Sequence, residues 1–216
     1  MSKIVRYVSF LLLLLTSDWL KSQQFIQLNP PDLTRGRATM QALSLRASAT
    51  QFDTTMLSLQ DLSDVLWAAN GINRPASGKR TSPSAMNAQD IDIYTFIRSG
   101  VYLYNPQKHA LELVVNNDYR RVFLRDEKSP LPPVILLLVS DISRFRTQDD
   151  SLKMMWGAMD AGIVSENISV FCASENLATR PRASMNQKKL RELLNLKDSQ
   201  YLMLNHPVSY KKNIGN

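Results

Sequence analysis

Two short polar segments hold the residues of this sequence best suited to gripping a ligand. One is Arg46-Ala47-Ser48 with Thr50 just beyond it; the other is Thr81-Ser82-Pro83-Ser84-Ala85-Met86-Asn87-Ala88-Gln89. An Arg and a Ser near the end of a helix can hold a phosphate through charge-assisted hydrogen bonds. A run of Ser, Pro, Ala and Asn carries short side chains, so its backbone N–H groups can meet a ligand closely. The sequence offers little for a catalyst built from protein groups alone. His109 and His206 are its two histidines, nearly one hundred residues apart, and His109 sits in a turn-like Pro-Gln-Lys-His segment where solvent is its expected neighbour. No His, Cys or acidic cluster has metal-ligand spacing. Cys172, in an apolar helical segment, reads as a buried inert thiol. There is no Gly-x-Ser-x-Gly elbow, P-loop or Gly-x-Gly-x-x-Gly run. Demanding chemistry would therefore belong to a cofactor.

The elements that must carry these segments are legible in outline. Residues 34–45 have helical spacing, with Met40, Leu43 and Ala47 able to share a face and Arg46 at the end. Ser58-Leu59-Gln60-Asp61 fits a capping box ahead of the stripe Leu62, Val65, Leu66, Ala69. Asn70-Gly71 closes that helix, Gly71 being a natural C′ residue. Ile91, Ile93, Thr95 and Ile97 alternate with polar and aromatic residues, and turns at Ser99-Gly100 and Asn105-Pro106 lead into 101–104 and 110–115, a three-stranded meander. Residues 119–124 read as a short helix. The run Val134-Ile135-Leu136-Leu137-Leu138-Val139 reads as a central strand buried on both faces. Residues 151–176 form the longest helical segment, with Leu152, Met155, Met159, Ile163 and Val170 near one face and Gly157, Ala158, Ala161 and Gly162 midway, where small residues admit another backbone or a flat ligand. A short helix over 188–194 and a final strand over 201–204 precede Lys211-Lys212.

Bulk properties narrow the setting. Lys3 and Arg6 precede an apolar run over 8–15, the n-region and h-region of a secretory signal peptide. That run is too short to span a bilayer, which takes about 20 residues. Residues 1–22 are thus expected to direct export to the periplasm and to be removed, without stable membrane insertion afterwards. An extended lead-in over 23–33, with Pro30-Pro31, and one domain over 34–216 follow. The net charge is +7, and removing the +2 of Lys3, Arg6 and Lys21 against Asp18 leaves +5. This spread-out basicity suits a phosphate-bearing cofactor and, with no basic stripe interleaved with aromatics, does not point to nucleic acid. A single cysteine excludes an intramolecular disulfide.

The two ligand segments, with two later ones, resemble the nitroreductase family. Arg46, Ser48 and Phe52 match its Arg-x-Ser motif with a following Phe, while Thr50 stands where the family often has a second cation. Pro83, Ser84, Ala85, Asn87 and Gln89 match its Pro-Ser-x-x-Asn-x-Gln signature. Residues 160–167 look like its long central helix, followed by 176–179, with Arg180-Pro181-Arg182-Ala183-Ser184 where backbone amides approach flavin N5. The stretch 201–207 followed by Lys211 and Lys212 is similar to its last strand and the cations that reach the phosphate. Singly, each match has a plainer reading: a turn and N-cap at 82–89, a solvated helix-end cation at Arg46, a frayed basic tail at Lys211-Lys212. Their order in the chain makes the resemblance. It implies an α+β fold with an antiparallel-rich sheet flanked by helices, and an intertwined homodimer with FMN bound noncovalently at the subunit interface. Arg46, Ala47, Ser48, Thr50, Lys211 and Lys212 would lie at the phosphate and ribityl chain, and Asn87 at the ring edge, where an amide offers both donor and acceptor. The activity implied is ping-pong hydride transfer from NAD(P)H through the flavin to a nitroaromatic, quinone or similar acceptor. The alternatives are a flavin-dependent dehydrogenase or oxidase acting on a peptide or small molecule, and an exported flavin-binding protein with little turnover.

Overall fold

In the computed structural model, the described residues are 24–212, with 125 and 127 excepted. The segment 1–22 read as a signal peptide lies outside them. Nine strands and four α-helices make up the described chain, with short 3-10 turns between. Seven strands form one antiparallel sheet in the order β1-β6-β5-β4-β7-β9-β8. These are β1 Phe25–Gln27, β4 Ile91–Ile97, β5 Gly100–Asn105, β6 Ala110–Asn116, β7 Val134–Asp141, β8 Leu177–Thr179 and β9 Gln200–Tyr210; β2 Ile72–Arg74 and β3 Lys79–Arg80 make a separate hairpin. The helices are α1 Thr39–Leu45, α2 Leu59–Asn70, α3 Asp150–Ser174 and α4 Gln187–Leu194. The expected α+β architecture and the β4-β5-β6 meander are both present.

Strand β7 explains the continuous apolar run. All eight of its residues are buried, because both faces of the sheet are covered. Leu136 and Leu138 pack with Leu62, Val65 and Leu66 of α2 and Val164 and Ile168 of α3. Ile135, Leu137 and Val139 pack on the other face with Phe96, Phe123, and Leu190 and Leu194 of α4. The period-two alternation of a strand thus feeds two cores at once.

Helix α2 begins as its capping box dictates, the Ser58 hydroxyl accepting the Asp61 N–H at 3.0 Å. It ends at Asn70, but Gly71 has an extended φ of −75° rather than a left-handed one. Glycine is required there for space, since a Cβ would lie 2.4 Å from Cδ1 of Trp67. Arg35 ties the lead-in to both large helices, reaching Asp61 and Asp64 at 2.7 Å each and Glu175 at 2.7 Å. Its guanidinium is held firmly charged by these carboxylates against the opposing effect of burial.

Three sequence expectations are corrected. The first helix starts at Thr39, and Met40 and Leu43 face outward while Ala42 alone of that helix is buried. The final strand continues through His206 and Pro207 to Tyr210. His109 is half-buried: its Nδ1 lies 2.9 Å from the Tyr104 hydroxyl, and burial pushes its pKa down. Helix α3 is apolar on two sides. Ala161, Val164, Ile168 and Cys172 face the core, and Met155, Met159 and Ile163 are exposed.

The inner face of α3 leaves no room at Gly157, where a Cβ would lie 2.5 Å from the Ser140 hydroxyl oxygen and 3.3 Å from Met203 Cε. Gly157→Leu is expected to destabilise the fold by about 1–3 kcal/mol, as overpacked cores do. Urea unfolding of the variant against wild type checks this, an unchanged midpoint being the contrary result.

Candidate functional site

The chain lays out its ligand-competent residues in two groups. In the first, α1 stops at Leu45 and Arg46 turns extended at its C-cap, with φ −62° and ψ 121°. Ala49 N–H then donates to the Thr179 carbonyl at 2.9 Å, so the exposed segment 46–50 runs along the end of β8. Beyond β8, Arg182 and Asn205 exchange backbone hydrogen bonds of 2.9 and 2.8 Å. The Asn205 side chain donates to the carbonyls of Arg182 at 3.0 Å and Ser184 at 3.3 Å. Among the described residues, no hydrogen bond takes up the N–H of Ala183, which sits between them. Lys211 and Lys212 leave the end of β9 beside these segments.

Two adjoining cavities open here, of about 610 and 210 Å3. They share Thr50, Gln51 and Lys212. The larger has apolar walls from Phe52, Phe123, Leu124, Pro130 and Pro132, with Arg180, Arg182, Lys212 and Ser184 around them and Asp126 as its acid. Arg182 lies over the Phe52 ring, 5.5 Å from its centroid. Burial, and then the neighbouring Arg180, push the Arg182 guanidinium pKa down. The smaller cavity is lined by Ala47, Ala49, Thr179, Cys172 and Lys211 among others. The Cys172 thiol is buried, and burial raises its pKa, so it is neutral and unreactive. Arg46, Ser48 and Ala183 adjoin these cavities in sequence without lining either.

His206 sits beneath this group, fully buried. Its Nε2 lies 2.8 Å from the Ser165 hydroxyl and its Nδ1 3.1 Å from the Thr179 hydroxyl. Both ring nitrogens are thus satisfied, and the histidine is a structural brace for β8 and β9.

The second group is the turn before β4. Ser82 is buried, donating to the Ala69 carbonyl at 2.6 Å and accepting from Asn167 at 2.9 Å. Met86, Asn87 and Gln89 all have left-handed φ, of 54°, 54° and 50°. Such conformations persist in non-glycine residues only when the surroundings fix them. Here Asp160 of α3 accepts the Ala85 N–H on both oxygens, at 3.1 and 2.9 Å. Ser84 Oγ accepts the Gln89 N–H at 2.8 Å, and the Gln89 amide is held by Arg80 at 3.0 Å and the Gly78 carbonyl at 3.1 Å. Asn87 is left exposed at the crest of the turn beside exposed Met86.

The register fixes how far apart the groups are. Ile91, at the start of β4, pairs with Ser140 near the end of β7; Val208, near the end of β9, pairs with Val134 at its start. The two groups therefore lie at opposite ends of β7, roughly 20 Å apart at about 3.3 Å per residue. The five residues Pro83, Ser84, Ala85, Asn87 and Gln89 line neither cavity, whereas Ala47, Thr50, Arg182, Ser184, Lys211 and Lys212 do.

Comparison with known proteins decides the family. Residues 43–210 match the model of the nitroreductase family. The chain belongs to the nitroreductase family. A crystal structure of a Ralstonia eutropha JMP134 protein that carries the nitroreductase name is 33% identical to this nitroreductase-family chain, covers 88% of it and 90% of its own length, and superimposes with a TM-score of 0.82. A Methanocaldococcus jannaschii protein assigned by name to the nitroreductases is 26% identical over 176 residues, 77% of this chain and 87% of the relative. A chain of the Escherichia coli microcin synthetase McbBCD complex shares the fold alone, with 16% identity, a TM-score of 0.69 and 93% of each chain covered. Membership places the chain among oxidoreductases of a generally flavin-dependent family.

The first group suits a flavin mononucleotide. Its larger cavity falls in the size range of cofactor sites, and the group combines cations and hydroxyls for a phosphate with an aromatic and proline wall for a ring. Asp126 and the prolines of 130–132 were not singled out from the sequence. A Pro-rich loop reads as a rigid connector, and no local pattern tells which cavity it will line.

His206 gives this region a pH signature. Burial pushes its pKa down to about 3, whereas an unfolded His titrates near 6.5. Between those values the unfolded chain binds the extra proton, so His206 makes stability fall as pH drops below about 6.5. His206→Gln is expected to show a shallower loss of stability from pH 6.5 to pH 4.5 than wild type. Urea unfolding at the two pH values measures it, and equal slopes would contradict it.

Proposed function

We propose that this protein is an FMN-dependent oxidoreductase that works as a homodimer. The observation that carries the reading is the convergence of 46–50, 180–184 and 211–212 on adjoining cavities that share Thr50, Gln51 and Lys212. In this reading Arg46, Lys211 and Lys212 neutralise the FMN phosphate, with Ser48 and Thr50 adding hydroxyl hydrogen bonds. Phe52 and Phe123 cover the ring system and limit water. The amides of Ala183 and Ser184 donate hydrogen bonds near N5. When bound, FMN would supply two-electron redox chemistry between NAD(P)H and a nitroaromatic, quinone or similar small acceptor. No side chain acts as acid or base, which accords with both ring nitrogens of His206 being hydrogen-bonded and with Cys172 being a buried thiol.

The dimer reading rests on the outer face of α3. Met155, Met159 and Ile163 are exposed together, a Cβ on Gly162 would have nothing within 4 Å, and Met40 and Leu43 are exposed on α1. An apolar face of this kind marks an interaction surface. The Asn87 turn is anchored to the same helix through Asp160. A second copy docked on this face would bring its Pro83–Ser84–Ala85 and Asn87 to the cavities of the first, joining groups that one chain holds apart. Export of the mature chain to the periplasm is part of the same proposal and rests on the charged and apolar pattern of residues 1–22.

A second reading, flavin binding with little turnover, is favoured by one feature: Thr50 lines both cavities without a charge. NAD(P)H added to the FMN-loaded protein separates them, since bleaching of the flavin absorbance in seconds supports the oxidoreductase and persistent colour supports the binding protein.

Purified mature protein is expected to take up one FMN per chain, read from its visible spectrum; a protein that stays colourless with added FMN would overturn the reading. Lys212→Ala should weaken FMN about 10- to 100-fold, the cost of losing a charged hydrogen bond, with little change in melting temperature. Ile163→Arg is expected to sediment as a monomer and to lose FMN with it, and a flavin-loaded monomer would contradict the dimer.

A further inference from the structure

Two guanidiniums of the larger cavity have no work in the proposed function. Arg46, Lys211 and Lys212 serve the phosphate there, which leaves Arg180 and Arg182. Both line the larger cavity together with Phe52, Phe123, Pro130 and Pro132. Neither side chain has a hydrogen bond or an ion pair among the described residues. The Arg182 backbone is pinned to β9 by the two bonds it exchanges with Asn205, at 2.9 and 2.8 Å, and by the Asn205 amide on its carbonyl at 3.0 Å. Its guanidinium lies over the Phe52 ring, 5.5 Å from the centroid.

Nearby acids do not neutralise the two arginines. Asp126, in the same cavity, accepts the Lys128 N–H at 2.9 Å and the Ser129 hydroxyl at 3.3 Å, closing its own turn. Residues 180–212 carry eight Lys and Arg against Glu192 and Asp198, so +6 of the chain's +7 falls there. Arg191 is spent on structure, holding the carbonyls of Gln200 at 2.6 Å and Lys197 at 3.0 Å with Asp198 at 3.9 Å. Arg180 and Arg182 are not. Burial, and then the neighbouring Arg180, push the Arg182 guanidinium pKa down. Two like charges lining one cavity repel, and an anion between them relieves the repulsion. A guanidinium fork matches the oxygens of a carboxylate or phosphate, and walls of Phe and Pro suit a flat apolar body.

We propose that Arg180 and Arg182 form an anion subsite for the acceptor, so that the protein selects small flat organic acids, a carboxylate or a phosphate on an aromatic body, over their neutral analogues. The arginines determine specificity: they hold the acid group while the body lies against the apolar wall, and no bond forms or breaks at them. The basic surface around the cavity draws such anions in at low salt. That the anion is an acceptor rests on the proposed function; the anion subsite itself does not.

The test uses the purified protein with FMN bound and three probes: 4-nitrobenzoate, 4-nitrophenyl phosphate and the neutral 4-nitrobenzamide. Titrations followed by NMR of the probe at low salt should show at least one acid binding about tenfold more tightly than the amide, the weight of one charge-assisted hydrogen bond. The acid that binds better names the group, carboxylate or phosphate. High salt should shrink the preference, and Arg180→Gln combined with Arg182→Gln should bring it close to one. Arg182→Lys keeps the charge, loses the fork and should fall between. In turnover with NAD(P)H, the ratio of kcat/KM for the better acid to that for the amide should drop about tenfold in the double variant; this ratio contains no donor binding, so a ratio that does not move would contradict an acceptor subsite. Acids and amide bound alike by wild type would overturn the proposal, and arginines already occupied by the FMN phosphate would give that result. A preference that survives in the double variant would overturn it too. Should the double variant not fold, Arg180→Gln alone changes an exposed side chain and should cut the preference about threefold, an unchanged preference being the contrary result. A protein that takes up no FMN counts against the flavin reading; the same titrations on the cofactor-free protein then judge the subsite by whether the arginine variants lower the preference.

Discussion

Burial of β7 on both faces is the constraint from which the rest of this structure follows. A strand whose eight residues are all buried needs a neighbour on each edge and a layer on each face. Strands β4 and β9 supply the edges, α2 and α3 one face, and α4 with the 3-10 turn at Arg120–Phe123 the other. Because β4 and β9 both run antiparallel to β7, the entry to one and the exit from the other fall at opposite ends of the central strand. Those two ends carry the Asn87 turn and the Lys211-Lys212 pair. The separation of the ligand groups is thus a property of the sheet topology and no local adjustment can close it. In the proposed function a second copy closes it, docked on the exposed apolar face of α3.

Around that frame, polar groups do two different jobs. Ser165, Thr179 and His206 satisfy one another inside the fold and fix the strands that carry the cation cluster. Asp160 holds a strained turn at whose crest Asn87 remains exposed to a ligand. Both sets are buried, and His206 weakens the fold as pH falls below about 6.5. The cation cluster at Arg180, Arg182, Lys211 and Lys212 stays near the surface, where an anion can reach it.

Much of the fold was legible in the sequence because local rules agreed with the global structure. The capping box at Ser58, the apolar run of β7 and the alternation of β4 each name their element. Where reading stopped short, a specific contact intervened. The final strand was read as ending at 204, yet β9 runs on through Pro207 to Tyr210. Pro207 falls between the Arg182–Asn205 bridge and the Thr179–Val208 pair, where β9 has no ladder partner on its outer side to miss the N–H. Met40 and Leu43 have core spacing but face outward, because apolar spacing names a helix face without telling what covers it. The candidate segments at 46–50 and 82–89 stood out by composition. Their separation did not, since it depends on strand order. Asp160 was hidden in a helix read for its apolar stripe, although a carboxylate between Gly157 and Val164, on the buried side, is the one local sign of a polar anchor.

The central claim, a flavin site assembled from the two ends of β7 in two different chains, is tested most directly by mixing two defective variants. Asn87→Trp blocks the turn, and the pair Lys211→Glu and Lys212→Glu removes the phosphate cations. Each alone is expected to bind no FMN. Unfolded and refolded together in equal amounts, half of the dimers formed would be mixed, and each mixed dimer would carry one intact site, restoring about a quarter of the wild-type FMN stoichiometry. Recovery near that value is the predicted result. A mixture that binds no more FMN than its separate parents would mean that both groups must come from one chain, and would contradict the account.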